Sequence, residues 1–170
     1  MKAYTNVNIV TCDSEFHVYR EGLLVVEDDR IAYCGPYDEN WLGKCSEIVD
    51  YEGAWIMPGL VNCHTHSAMT LLRGIRDDSN LHEWLEDYIW PAESRFTADL
   101  TTQPVQLALA EMLLSGTTTF NDMYNPQGVD IDRIYQAVRQ CGMRCYFPPT
   151  LFSSAVETEE ETLARTRAII

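Results

Sequence analysis

With 170 residues, 46% of them hydrophobic and 22% charged, the chain has the size and apolar content of about one globular domain, not of a disordered or fibrous segment. Twelve basic residues stand against 26 acidic ones, a net charge of −14, and just two of the basic residues are lysine. Phosphate backbones and anionic membrane surfaces are gripped by Lys and Arg, so this balance excludes a general nucleic-acid binder, disfavours a membrane surface and points to a small-molecule substrate.

Residues 1–58 read as β structure. Val7 to Cys12, Leu23 to Glu27, Ile31 to Cys34 and Ile48 to Tyr51 are short runs rich in β-branched or aromatic residues. Asp28-Asp29-Arg30 suits a hairpin turn and Gly35-Pro36 a strand end, which together predict a small antiparallel unit. After Pro58-Gly59 the pattern changes. Leu60-Val61-Asn62-Cys63 runs as a strand into His64-Thr65-His66. From Asp99 to Ser115 the apolar residues Val105, Leu109, Met112 and Leu113 recur at helical spacing as a core stripe, with Gly116 as the stop.

Thr117 to Phe120 is a second strand, after which Asn121 and Asp122 read as turn or cap residues. Asp130 caps a helix whose Ile131, Ile134, Tyr135 and Val138 share one face, and Gly142 ends it. Met143 to Phe147 forms a third strand. Thr158-Glu159-Glu160-Glu161 is a capping box opening a further helix, supported by an ion pair from Glu161 to Arg165. Strand alternating with helix predicts βα units and a parallel sheet, three units over residues 59–170.

No apolar run approaches the ~20 residues that span a bilayer. Met1-Lys2-Ala3-Tyr4-Thr5-Asn6 lacks the apolar core of a secretory signal, so a cytoplasmic chain is expected. Cys12, Cys34, Cys45, Cys63, Cys141 and Cys145 form no C-x-x-C pair, and in a reducing compartment they are expected as free thiols.

The chemistry concentrates at His64 and His66. Residues two apart on a strand project to the same face, so the two imidazoles lie side by side while Cys63 and Thr65 point away. Zinc takes such nitrogens at about 2.0–2.1 Å. On the spacing alone, a metal pair and two packing histidines are both open readings. His17 and His82 have no ligand-spaced partner and read as surface residues.

The stretch Ile56-Met57-Pro58-Gly59-Leu60-Val61-Asn62-Cys63-His64-Thr65-His66 carries further information in its context. It is followed by Met69-Thr70-Leu71-Leu72-Arg73-Gly74, Leu81, Trp84-Leu85, Ile89-Trp90-Pro91 with Glu93, and Ser115-Gly116-Thr117-Thr118-Thr119-Phe120. This combination resembles the amidohydrolase superfamily of metal-dependent hydrolases, in the branch of the methylthioadenosine/S-adenosylhomocysteine deaminases and triazine chlorohydrolases.

The resemblance implies an α/β fold: the first part of a (β/α)8 TIM-like barrel, residues 59–170, preceded by residues 1–58 as part of a small composite β-sandwich. It implies one divalent metal, zinc above iron or manganese, held by His64, His66 and ligands from later strands. The metal activates water for attack on a ring carbon of a cyclic amidine, expelling ammonia, because coordination lowers the pKa of water from about 15.7 towards about 7. The proton-shuttling Glu and the remaining ligands are expected beyond Ile170, so the 170 residues alone are expected to be inactive.

Glu93 matches the position that accepts the ribose diol in nucleoside deaminases, where a carboxylate meets two hydroxyl donors. A local helix-capping role is the alternative reading. Trp90 is a candidate pocket wall, whereas Trp84 is expected to pack. No Arg occurs between Arg144 and Arg165, where homocysteine-using members place arginines near the substrate carboxylate, and this favours a neutral substrate such as methylthioadenosine. The rival class is a non-catalytic fragment that pairs its open strand edge as a homo-oligomer or shares a structural metal.

Overall fold

The computed structural model describes residues 1–123 and 131–148, together with Thr158, Glu160, Glu161, Leu163, Ala164 and Arg167. The chain divides into two compact units, Met1–Pro58 and Gly59–Ile170.

In the first unit, strands β1 (Lys2–Val10), β2 (Val18–Glu27) and β3 (Arg30–Gly35) precede a short helix α1 (Glu39–Leu42), and β4 (Glu47–Asp50) and β5 (Trp55–Ile56) follow it. The order is β3-β2-β1-β4, with β5 also on β1. The hairpin pairs are antiparallel, but β4 and β5 both run parallel to β1, so the sheet is mixed and not purely antiparallel. The physical reason is α1, which carries the chain back across the sheet before β4 begins.

β1 starts at Lys2, well before the apolar run at Val7, because it has a partner on each side. Its Lys2 faces Glu47 across the parallel ladder, and their side chains meet at 2.7 Å. Ladder hydrogen bonds thus recruit residues that the hydrophobic pattern does not mark. The core is Ala3, Leu23 and Val25, packed against Ala32, Tyr33, Trp41, Leu42 and Cys45. Asn6 adopts φ +52°, where the β1–β2 register shifts, and its side chain donates to Asp50 at 3.0 Å. This bulge coincides with the gap between β4 and β5 on the opposite edge of the same strand.

The β1–β2 connection is tied by one carboxylate. Asp13 Oδ1 accepts from the backbone amides of Glu15 and His17, each at 3.1 Å, and Oδ2 meets His17 Nδ1 at 2.8 Å.

In the second unit, β6 (Leu60–Thr65), β7 (Thr117–Asp122) and β8 (Arg144–Tyr146) form a parallel sheet in the order β6-β7-β8. Helices α4 (Ala98–Leu114) and α5 (Ile131–Cys141) connect them. Val105, Ala108, Leu109 and Met112 of α4 pack with Ile134, Ala137 and Val138 of α5 against Phe120. Each such large side chain, fully buried, contributes roughly 1.5–3 kcal/mol. Two residues of the expected stripes lie elsewhere. Leu113 is 44% exposed and Tyr135 is 55% exposed, and Ala108 and Ala137 occupy the buried positions instead. At 3.6 residues per turn the face has room for one residue of each adjacent pair, and the small alanines allow the closer approach of sheet and helix.

Helix α4 begins at the Thr97 cap, whose side chain accepts from the Leu100 amide, and Gly116 at φ +84° turns the chain into β7. β7 extends to Asp122, so Asn121 and Asp122 belong to the strand and not to a turn. β8 is shorter than expected. Asp130, Arg165 and the stretch from Pro149 to Phe152 lie outside the described residues. The capping box is formed: Thr158 Oγ1 donates to Glu161 Oε2 at 2.8 Å, and the Glu161 amide donates back at 3.3 Å.

The long connection from β6 to α4 is structured. A 3-10 turn, Ser67–Leu72, leads to a helical run made of α2 (Leu81–Glu83), a π-turn (Trp84–Ile89) and α3 (Trp90–Glu93). Pro91 lacks an amide proton and its ring crowds the carbonyl four residues back, and the wide turn occurs just before it. Arg73 fastens the connection to α4 through two bonds to Glu111, at 2.8 and 2.5 Å. Among the described residues, no helix is long and apolar enough to cross a membrane.

Two outcomes follow for stability. The hydrogen bonds from His17 hold the Asp13 carboxyl at about 2, below its ordinary 3.8. The folded chain therefore binds this proton less tightly than the unfolded chain, and the contribution is complete above pH 3.8 and lost as pH falls to about 2. Asp13→Ala is expected to lower Tm near neutrality, with the difference closing across that window; a constant difference in thermal melts would refute the electrostatic account. A Cβ on Gly59 would stand 2.1 Å from Thr118 Oγ1 and 2.7 Å from Thr118 Cβ. Gly59→Ala is expected to cost about 1–3 kcal/mol or more in denaturant unfolding. Adding Thr118→Ala should recover only part of it, since the Cβ clash persists.

Candidate metal centre

The site grows from the ends of two parallel strands. Thr65 of β6 is in register with Asp122 of β7, and the Met123 amide donates to the Thr65 carbonyl at 2.9 Å. Upstream, Asn62 Oδ1 accepts from the His64 amide at 3.1 Å. His66 is the first residue past the strand, at φ −126° and ψ 74°, and the chain then enters the 3-10 turn.

The two imidazoles come together. Their ring centres are 5.0 Å apart and their planes are nearly perpendicular at 86°. His66 Nδ1 is hydrogen-bonded to the Met123 carbonyl oxygen. A carbonyl only accepts, so Nδ1 carries the proton and Nε2 keeps its lone pair, the state a metal ligand requires. His64 is solvent-exposed. Paired imidazoles are a donor set that zinc accepts, and iron or manganese as well.

Beside them Asp122 is fully buried. Its Oδ1 accepts from the Ser67 amide at 2.9 Å, and Oδ2 accepts from the Ser67 hydroxyl. Burial pushes the Asp122 carboxyl above the usual carboxylate range, opposed by the two Ser67 donors and the nearby His66. Among the described residues, no group of three or more His, Cys, Asp or Glu side chains is arranged to hold a metal ion.

A groove of about 760 Å³ runs along β6 and α4, lined by residues that include Asn62, Thr65, His66, Arg73 and Glu111. Trp90 and Glu93 are not among its lining. Glu93 is buried at 5% exposure at the end of α3, and Trp90 on the same short helix is 38% exposed. His17 is bound to Asp13 within the first unit, and His82 is exposed. All six cysteines are free thiols.

Reading Asp122 as a capping residue captured only part of its role. Its carboxylate serves the first amide of the turn that follows His66, 55 residues away. A signal was present: strand alternation puts Asp122 on the same face as the core residue Phe120, and an acid on a core face requires a partner. The Met123 carbonyl had no such signal, since a backbone atom leaves no mark in sequence.

The amidohydrolase family model matches residues 55–170. A 5-methylthioadenosine/S-adenosylhomocysteine deaminase of Bacillus cytotoxicus is 45% identical over 159 residues, which cover 94% of this chain and 37% of that protein. The chain therefore spans little more than a third of that relative. An atrazine chlorohydrolase of Arthrobacter aurescens, solved in complex with zinc, superposes with a TM-score of 0.80 over 100% of this chain and 42% of its own, at 20% identity. An adenosine deaminase of Xanthomonas campestris with bound zinc gives a TM-score of 0.69 at 28% identity, covering 96% and 38%.

Thiol reactivity checks the packing at the strand ends. Burial, and then the charge of Asp122, push the Cys145 thiol far up, whereas Cys12 and Cys63 are exposed. Since the thiolate is the reactive form, brief maleimide treatment at neutral pH is expected to label Cys12 and Cys63 and to spare Cys145. Mass-spectrometric detection of Cys145 labelling at a comparable rate would contradict the packing of β8 against β7.

Proposed function

The chain belongs to the amidohydrolase family, and from that premise we propose that it is the opening part of a metal-dependent (β/α)8 barrel. The protein that carries it deaminates an adenine nucleoside hydrolytically. The observation that carries this reading is the pair of imidazoles at the C-terminal end of the parallel strand β6, 5.0 Å apart, with His66 presenting Nε2. Barrel enzymes place their chemistry at that end of their strands.

His64 and His66 hold the metal, with zinc as the expected ion in view of the zinc-bound adenosine deaminase and chlorohydrolase. When bound, the ion supplies a water of lowered pKa as the nucleophile. Glu93 accepts the ribose hydroxyls, and its burial makes that hydrogen bond strong. Trp90, on the same short helix and partly exposed, is the wall of the nucleoside site in this reading, outside the groove along β6 and α4. Residues 1–58 form part of a composite β-sandwich. Methylthioadenosine is favoured over S-adenosylhomocysteine, because no Arg lies between Arg144 and Arg165 to meet a carboxylate.

Two imidazoles are one short of the three protein ligands typical of catalytic zinc. The 170 residues alone are therefore inactive in this reading, and activity resides in a protein of the relatives' full length containing them. The test is ammonia release from methylthioadenosine, S-adenosylhomocysteine, adenosine and guanine by such a protein, with zinc content measured alongside.

Expected are turnover of methylthioadenosine above the others and loss of both zinc and turnover in His64→Ala and His66→Ala. Glu93→Gln should lower kcat/KM about 10–100-fold, the value of a lost hydrogen bond to a charged group. Guanine or a triazine turned over in place of nucleosides would overturn the substrate assignment. Nucleoside turnover by the 170-residue chain would overturn its inactivity, and a stable zinc-bridged oligomer without turnover would favour the structural reading.

A further inference from the structure

We propose that Asp122 is a positioning residue for His66. By holding Ser67 it sets the peptide that follows His66, and so delivers His66 Nδ1–H to the Met123 carbonyl and leaves Nε2 as the metal-facing nitrogen.

Three consecutive residues, Thr65, His66 and Ser67, are bonded to Asp122, the last residue of the neighbouring strand, and to Met123, which follows it. The Thr65 carbonyl accepts from the Met123 amide at 2.9 Å, His66 Nδ1 donates to the Met123 carbonyl, and the Ser67 amide and hydroxyl both donate to Asp122. At φ −126° and ψ 74°, His66 stands between the strand and the turn: its carbonyl accepts from the Met69 amide at 2.9 Å as the turn begins, whereas the N–H of the same peptide, on Ser67, lies outside both the ladder and the turn's own bonds. The 2.9 Å bond from the Ser67 amide to Asp122 takes the ladder's place.

A carboxylate suits this position for a definite reason. Ser67 offers two donors, N–H and O–H, and an ionised carboxylate accepts both with its two oxygens. An amide side chain at 122 has one accepting oxygen, which keeps the Ser67 amide bond, while its NH2 can meet the Ser67 hydroxyl only as a donor. With 0% exposure, Asp122 has no water to replace these donors, so the bonds are obligatory wherever the carboxylate remains there. An imidazole open to solvent exchanges its proton between both nitrogens, whereas a fixed acceptor at Nδ1 selects one tautomer.

The inference rests on the metal reading of His66 for its consequence, but its first test needs no metal. In the 15N-labelled 170-residue chain, long-range proton–nitrogen correlation at mildly alkaline pH is expected to show His66 with a protonated Nδ1 and a bare Nε2. In Asp122→Ala the two nitrogens should converge towards a tautomer mixture, while His17 and the amide dispersion stay unchanged. Asp122→Asn, which keeps the acceptor for the Ser67 amide, should restore most of the separation.

A folded Asp122→Ala chain with the wild-type His66 pattern would overturn the proposal. If that variant does not fold, Ser67→Ala decides: a narrowed separation supports the proposal, and an unchanged one overturns it. As a second readout, in a protein of the relatives' full length that contains these residues, zinc affinity by chelator competition should fall about 10–100-fold in Asp122→Ala, the usual effect of losing support behind a ligand. Should the wild-type protein of the relatives' full length bind no zinc while the 170-residue chain keeps the fixed tautomer, the metal reading fails and the positioning role stands.

Discussion

The arrangement at His64 and His66 depends on the parallel pairing of β6 with β7 and on where that pairing ends. Parallel strands need a long crossover between them, so the chain must run out through α4 and return before Thr117 can lie beside Leu60. Once it has returned, the amide and carbonyl of Met123 and the carboxylate of Asp122 are fixed opposite Thr65, His66 and Ser67. The ring of His66 is thus oriented by atoms more than fifty residues away in sequence. Burying the acid is costly unless every oxygen is matched, and this requirement makes the clamp specific.

The core beneath the sheet supports that clamp. Phe120 is buried at the centre of the packing between β7, α4 and α5, with Phe147 edge-on at 6.4 Å. Because Asp122 is two residues further on the same strand face, seating Phe120 in the core also carries Asp122 inward. Hydrophobic burial in this way offsets the cost of burying the carboxylate. Gly59 plays a parallel part at the other end of β6, where close approach to Thr118 leaves no room for a side chain.

The connection between β6 and α4 is long and structured. Connections of this type in α/β units usually take about 2–6 residues, and longer ones carry binding elements. Here the helical run widens into a π-turn ahead of Pro91 and ends with Glu93 buried. Buried at the end of a helix that starts with an exposed Trp90, Glu93 is no solubilising surface charge. The ion pair from Arg73 to Glu111 ties this connection to α4 close to its start.

By itself, the sequence determined the alternation of strand and helix, the stops at Gly116 and Gly142, the capping box at Thr158 and Glu161, and the juxtaposition of His64 and His66. These are all local: a period of two or 3.6, a glycine at positive φ, or two side chains on one strand. Tertiary structure decided that β4 and β5 run parallel to β1, that β1 begins at Lys2, that Leu113 and Tyr135 face outward, and that Asp122 is buried beneath Ser67. Each of these turns on what lies across a sheet or beneath a helix, and partners such as Lys2 and Glu47, or Ser67 and Asp122, stand far apart along the chain, the latter pair by 55 positions. Local pattern says which faces are apolar, but which face meets which, and which backbone carbonyl ends beside an imidazole, is settled only when the strands pair.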